Sequence, residues 1–256
     1  GEAHSRAYLD LPGAQNDLIR EIAKTGKPVV LVVMTSRPLT IGEISEYVDA
    51  VLYAWHPGTM AGPALVDVIF GLESPSGKLP VTFPKAAGQI PVYYAHKNTG
   101  RPFNPDDFIP MEDIPVRTFQ TSLGNTSHYM DIGFDPLYPF GFGLSYTEFE
   151  YDELRLSAES IGLQEALGVS VRLTNTGKFE AEEVVQLYIR DLVASITRPV
   201  KELKDFTRVR LKPGETKTIS FALHPNQLGF YDSAGKYIVE PGEYQVWVGG
   251  SSEAAL

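Results

Sequence analysis

The sequence contains no cysteine at all. That excludes a disulfide scaffold, a thiolate metal site and a thiol nucleophile. It does not fix the compartment, since a cysteine-free chain suits both the cytoplasm and the bacterial periplasm. Long apolar runs are also lacking. The longest, residues 29–34, is far shorter than the run of about 20 residues that spans a bilayer as a helix. Positive charge is in the minority, with 22 Lys and Arg against 32 Asp and Glu and a net charge of −10. No basic stripe interleaves with aromatics, so nucleic acid and anionic membrane are poor partners. The opening Gly1-Glu2-Ala3-His4 has no apolar h-region, which says little because the chain does not begin at Met. What is present is globular: 43% hydrophobic residues over a 256-residue chain, enough for one large domain or two ordinary ones.

Two patterns divide the chain. Residues 1–95 alternate helix and strand signals. Residues 14–24 place Leu18, Ile19, Ile22 and Ala23 on one helical face, and Thr25-Gly26 stops the helix. Residues 29–34 form an unbroken apolar run without polar alternation, the mark of a central strand covered on both faces in a parallel sheet. A short helix is expected at 41–47, a second buried strand at 50–55, a helix at 64–70 ended by Gly71, and a further strand at 79–83. Two or three parallel strands cannot cover their own faces, and the 29–34 strand would offer an open apolar edge. The remaining strands are therefore expected from residues outside this chain. Residues 96–148 hold a long arm rich in Pro, Asn, Asp and Gly, returning to order in the segment YPFGFGLSY at 138–146. Residues 149–256 carry roughly seven short strands at sandwich spacing, punctuated by turns such as Asn175-Thr176-Gly177 and Lys212-Pro213-Gly214-Glu215. The fold class read from this is α/β plus all-β. A partial α/β sandwich with a parallel-type sheet and helices precedes a fibronectin type III-like β-sandwich.

Several stretches carry a resemblance. They are Gly1-Glu2 to Arg6 with Leu11-Pro12, Gly26-Lys27-Pro28, Arg37-Pro38 and Trp55-His56-Pro57-Gly58. PSGKLPVTFP at 75–84, QIPVYY at 89–94, YPFGFGLSY at 138–146 and RPVKEL at 198–203 extend it. In these the chain resembles the C-terminal portion of a family 3 glycoside hydrolase, of the periplasmic or secreted bacterial β-glucosidase type. The resemblance implies a three-part enzyme. A barrel-like domain carries a nucleophilic Asp, an α/β sandwich supplies an acid/base Glu on a loop, and a fibronectin type III-like domain packs behind. By that match Glu2 is the catalytic proton donor, no cofactor or metal is called for, and the partner is an N-terminal half of the same enzyme. The ligands implied are β-glucosides or oligosaccharides, and a homodimer stays open. The chain would open inside an exposed loop of the kind that proteases cut, as one piece of a longer or nicked polypeptide. On its own it provides neither burial nor a neighbouring nucleophile, so Glu2 is expected to titrate there as an ordinary carboxylate.

Other polar residues invite weaker readings. Arg6 either orients the loop by pairing with a carboxylate or is an ordinary surface residue. His4 and His56 lack a third ligand at metal spacing and read as loop residues. His128 to Asp131 lies on the arm, where packing outweighs substrate contact. Trp55 reads as core. Met60 stands where the family places an acid, which weakens any role for the Gly58–Gly62 turn. Two alternatives to the β-glucosidase remain. One is a β-xylosidase or broad β-glycosidase, and the other is a non-catalytic carbohydrate-binding module.

Overall fold

The computed structural model describes residues 3–118 and 128–254. Helix α1 spans Gln15–Ala23, strand β1 Val30–Val33, helix α2 Gly42–Ser45, strand β2 Ala50–Tyr53 and helix α3 Ala61–Ile69. β1 and β2 pair in parallel, Val30 opposite Ala50 and Val33 opposite Tyr53, and their sheet has these two strands among the described residues. One face carries a core of Ile19, Val33, Leu39, Ile41 and Ile44, with Leu11, Leu31 and Val51 against it. Outside that core the apolar residues of the two strands are half-buried or exposed. Val30 is 47% exposed, and Leu18 of α1 is 59% exposed although it shares the apolar face with Ile19. Helix α3 is almost wholly apolar yet buries no residue. The open apolar edge expected of the 29–34 strand is present: among the described residues its sheet has two strands, and Val30 and Met34 are exposed while Val33 is buried.

The strand expected at 79–83 is corrected. Residues 79–83 run antiparallel to 137–142 through Leu79 N–H to the Phe142 carbonyl at 2.8 Å, Gly141 N–H to the Leu79 carbonyl at 2.8 Å and Phe83 N–H to the Tyr138 carbonyl at 2.9 Å. Only the Phe83–Tyr138 pair forms a bridge. Pro80 and Pro139 have no N–H to extend the ladder.

The sandwich follows. Strands β3 (Phe149–Leu156), β4 (Leu167–Asn175), β5 (Ala181–Asp191), β6 (Glu202–Leu211) and β7 (Thr216–Leu223) precede a small β8–β9 hairpin (Phe230–Tyr231 with Tyr237–Ile238) and β10 (Tyr244–Gly249). They form two antiparallel sheets, ordered β10-β5-β6 and β3-β4-β7. Alternate residues point inward: Val169, Val171 and Leu173 from β4, Val185, Leu187 and Ile189 from β5, Ile219, Phe221 and Leu223 from β7. The Asn175-Thr176-Gly177 turn is tied by a fully buried Asn175. Its amide donates to the carbonyls of Phe179 and Leu211 at 2.8 and 3.0 Å, and its oxygen accepts from Thr147 at 2.6 Å.

Strand β5 breaks the alternation, being buried continuously from Val185 to Ile189. Its second face, bearing Gln186 and Tyr188, is covered by the 138–146 segment. Gln186 donates to the carbonyls of Gly141 at 3.3 Å and Gly250 at 2.6 Å and accepts from Tyr188. Tyr94 stacks on Phe140 with centroids 4.5 Å apart and meets Tyr188 edge-on. The alternating glycines of YPFGFGLSY have a steric cause. Gly141 sits at φ +80° with the Gln186 amide where a Cβ would go, and a Cβ on Gly143 would overlap the Gly77 carbonyl. Gly143→Ala is expected to destabilise the chain by about 1–3 kcal/mol, by overpacking against backbone that cannot move aside. Gly141→Ala adds backbone strain of similar size at its left-handed φ. Urea midpoints of the two variants check this. Wild-type midpoints would show that the seam is loose.

The arm packs rather than hangs free over the residues described. The His96 carbonyl accepts from Val200 N–H at 2.9 Å, and Lys97 bridges Pro199. Phe103, Phe108, Phe134, His96 and His128 form one aromatic cluster. Tyr129 donates to the Gly88 carbonyl at 2.8 Å.

Candidate active site

In a parallel α/β sheet the carboxyl ends of the strands are where chemistry gathers, because the connecting loops converge there. Two loops leave β1 and β2 at that end: residues 34–40, and Trp55-His56-Pro57-Gly58. The N-terminal loop 3–10 lies against the first of them. Arg37 donates from Nη2 to the His4 carbonyl at 2.5 Å. Thr40 N–H donates to the Leu9 carbonyl at 3.0 Å, and Thr40 Oγ1 donates to Asp10 Oδ1 at 2.6 Å. Leu9 is buried beneath, at 7% exposure. Ala3, a non-glycine residue, has φ +60°, an uncommon backbone state of the sort that clusters near functional sites. Glu2, the residue singled out by sequence, lies outside the described residues. His4, Leu9 and Asp10, which follow it on the chain, are held at the carboxyl end of β1.

The 34–40 loop is in turn fixed by Tyr53, the last residue of β2. Its hydroxyl accepts from Leu39 N–H at 3.1 Å and donates to the Arg37 carbonyl. The ring meets Trp55 and Phe83 edge-on, each at 4.8 Å, and Phe83 is fully buried. Burial pushes the Tyr53 hydroxyl up to about 12, with the Leu39 N–H working weakly the other way. It stays a neutral donor throughout the working range of a protein.

The remaining candidates divide. Arg6 donates to the Asp10 carbonyl at 2.9 Å. It braces the loop through backbone rather than through a carboxylate. Trp55 packs against Tyr53 and Phe83 but is only half-buried and has φ +50°. His4 and His56 are exposed and stand on separate loops. Met60 is 66% exposed at the start of α3, and its side chain caps nothing there. Among the other acidic residues, Asp17 and Glu43 are exposed and share Arg20, at 3.0 and 2.7 Å. Sequence reasoning missed Arg37, Thr40 and Tyr53 as parts of the loop's mount. A usable signal was present, since Arg37-Pro38 stands just past the apolar strand, after Thr35 and Ser36.

A loop mounted on a half-covered α/β layer, together with a β-sandwich, can be set beside known proteins. Residues 1–146 match the glycosyl hydrolase family 3 C-terminal domain, and residues 183–252 match a fibronectin type III-like domain. The chain belongs to glycosyl hydrolase family 3. It is 46% identical to a periplasmic β-glucosidase of Salmonella typhimurium over 97% of its own length and 31% of that protein's. It is 44% identical to a β-xylosidase of Formosa agariphila over 99% of its length and 32% of that one's. The crystal structure of a β-glucosidase from Listeria innocua in complex with glucose superposes with a TM-score of 0.89 at 43% identity, covering 99% of this chain and 33% of that one. The chain thus spans about a third of the length of the relatives it matches. No helix among the described residues is long and apolar enough to cross a membrane.

Proposed function

We propose that this chain is the C-terminal portion of a retaining exo-β-glucosidase acting on terminal, non-reducing β-D-glucosyl residues. In this reading Glu2 is the general acid/base. A nucleophilic Asp stands on an N-terminal barrel domain that shares the active site. Retaining hydrolysis needs two carboxyl groups about 5–5.5 Å apart. One attacks the anomeric carbon as the glycosidic C–O bond breaks, while the other gives its proton to the departing oxygen. Water then attacks the glycosyl ester and returns a proton to the second group. The observation that carries the reading is the mount of loop 3–10 at the carboxyl end of β1, beside a sheet that exposes Val30 and an apolar helix α3 that buries no residue. A periplasmic or secreted setting agrees with the Salmonella typhimurium relative.

Nitrophenyl β-glucoside tests the reading. The full-length enzyme is expected to hydrolyse it. The 256-residue chain alone is expected to be inactive, regaining activity when mixed with the N-terminal part. Activity from this chain alone refutes the shared site. An inactive complete protein refutes the enzyme and favours a carbohydrate-binding module. Because one relative is a β-xylosidase, the ratio of kcat/KM on β-glucoside and β-xyloside decides the sugar. The expected ratio favours glucose.

A further inference from the structure

We propose that Arg37 is a positioning residue for the proton donor, holding the backbone at His4, two residues along the chain from Glu2. The proposal rests on the reading of Glu2 as general acid/base. The tether is short and charge-assisted: the guanidinium donates to the His4 carbonyl at 2.5 Å, two residues along the chain from Glu2. Its own base is rigid. Tyr53 grips the Arg37 carbonyl and the Leu39 N–H, and the Tyr53 ring is wedged against Trp55 and fully buried Phe83. Thr35 Oγ1 accepts from the Arg37 N–H at 3.4 Å. The far end of the loop is held separately, through Thr40 to Leu9 and Asp10. Loss of Arg37 therefore removes a tether close to Glu2 in the chain and leaves the Thr40 contacts in place. A planar fork reaches a carbonyl with less freedom to lose than a flexible ammonium, which is why Arg suits the place better than Lys.

A surface hydrogen bond with no such role would be dispensable, or its loss would lower every rate alike. Misplacing a proton donor is different, because it hurts most where the leaving oxygen needs protonation. The test uses the full-length enzyme and two aryl glucosides: a dinitrophenyl glucoside, whose leaving group departs as the anion, and a phenyl glucoside, whose leaving group does not. For Arg37→Met, kcat/KM on phenyl glucoside, which reports the bond-breaking first step, is expected to fall about 10–100-fold, the scale of an ångström-sized misplacement. kcat/KM on the dinitrophenyl glucoside should stay within a few-fold, and Arg37→Lys should restore part of the loss. Glu2→Ala is run alongside, and thermal midpoints confirm that each variant folds. If Glu2→Ala discriminates between the substrates but Arg37→Met lowers both equally or neither, the positioning role is overturned and the donor stands. The positioning role is also overturned if Arg37→Lys behaves as Arg37→Met. If Glu2→Ala shows no discrimination, the donor assignment falls and takes this proposal with it. Should Arg37→Met not fold, Arg37→Lys alone decides, by a smaller but still leaving-group-dependent loss or by none.

Discussion

Glu2→Gln in the full-length enzyme is expected to lower kcat/KM on alkyl and phenyl β-glucosides by about 10²–10⁴-fold, the usual contribution of one general acid/base group. The amide keeps the size and hydrogen-bonding shape of the carboxyl group but has no proton to give. The pH profile should change with the rate. A donor that must be protonated gives the wild type an alkaline limb, and that limb should vanish in the variant. Its position depends on environment. Burial in the assembled cleft and the charge of the nucleophile both hold a carboxyl's pKa up. The second step offers an independent reading. A small anionic nucleophile such as azide needs no general base, so it should rescue the variant and yield a β-glucosyl azide. An unchanged rate, or no azide product from a slowed variant, would remove Glu2 from the mechanism.

The second large effect lies at the seam. Lys78, from the PSGK stretch, donates to the Gly143 carbonyl at 2.9 Å and pairs with Glu183 of β5 at 3.1 Å. The two side chains are 14% and 5% exposed. Tyr151 adds its hydroxyl to Glu183 at 2.9 Å. That hydroxyl's pKa is driven far up, first by burial and then by the Glu183 charge. Removing one member of such a pair strands the other charge away from water. Lys78→Met is therefore expected to cost about 3–5 kcal/mol. The double variant Lys78→Met with Glu183→Leu should recover much of that loss, since an apolar pair is often as stable as a buried ionic one. Guanidinium unfolding of this chain checks both, with intrinsic fluorescence following Trp55 on the α/β side and Trp247 in β10. Strict additivity of the two single changes would show that the charges do not need each other.

How far the sequence reaches can be seen in particular residues. The sandwich was legible because β4 and β7 face water on one side, so Val169, Val171 and Leu173 alternate with polar neighbours. β5 carries Val-Gln-Leu-Tyr-Ile in the same alternation, but nothing local says that Gln186 and Tyr188 are also buried. Their covering comes from residues 140–141, some forty-five positions away along the chain. The 79–83 segment failed as a strand for a related reason. Its apolar residues have strand-like character, whereas the prolines on both sides of the pairing decide how many bonds can form. The mount of the candidate site was least legible of all. Arg37 stood in plain view beside Pro38, but its target is a backbone carbonyl, which carries no sequence signature.

The amino-acid order by itself determined the two-part architecture, the kinship to glycosyl hydrolase family 3 and the choice of Glu2 as the acid to test. Periodicity, turn residues and short motifs act locally and are written residue by residue. Only the tertiary structure decided why the signature glycines sit where they do, which strand is buried twice, and what holds loop 3–10. Those depend on groups far apart in the chain meeting at about 3 Å, and hydrogen-bond range is too short for sequence spacing to foretell.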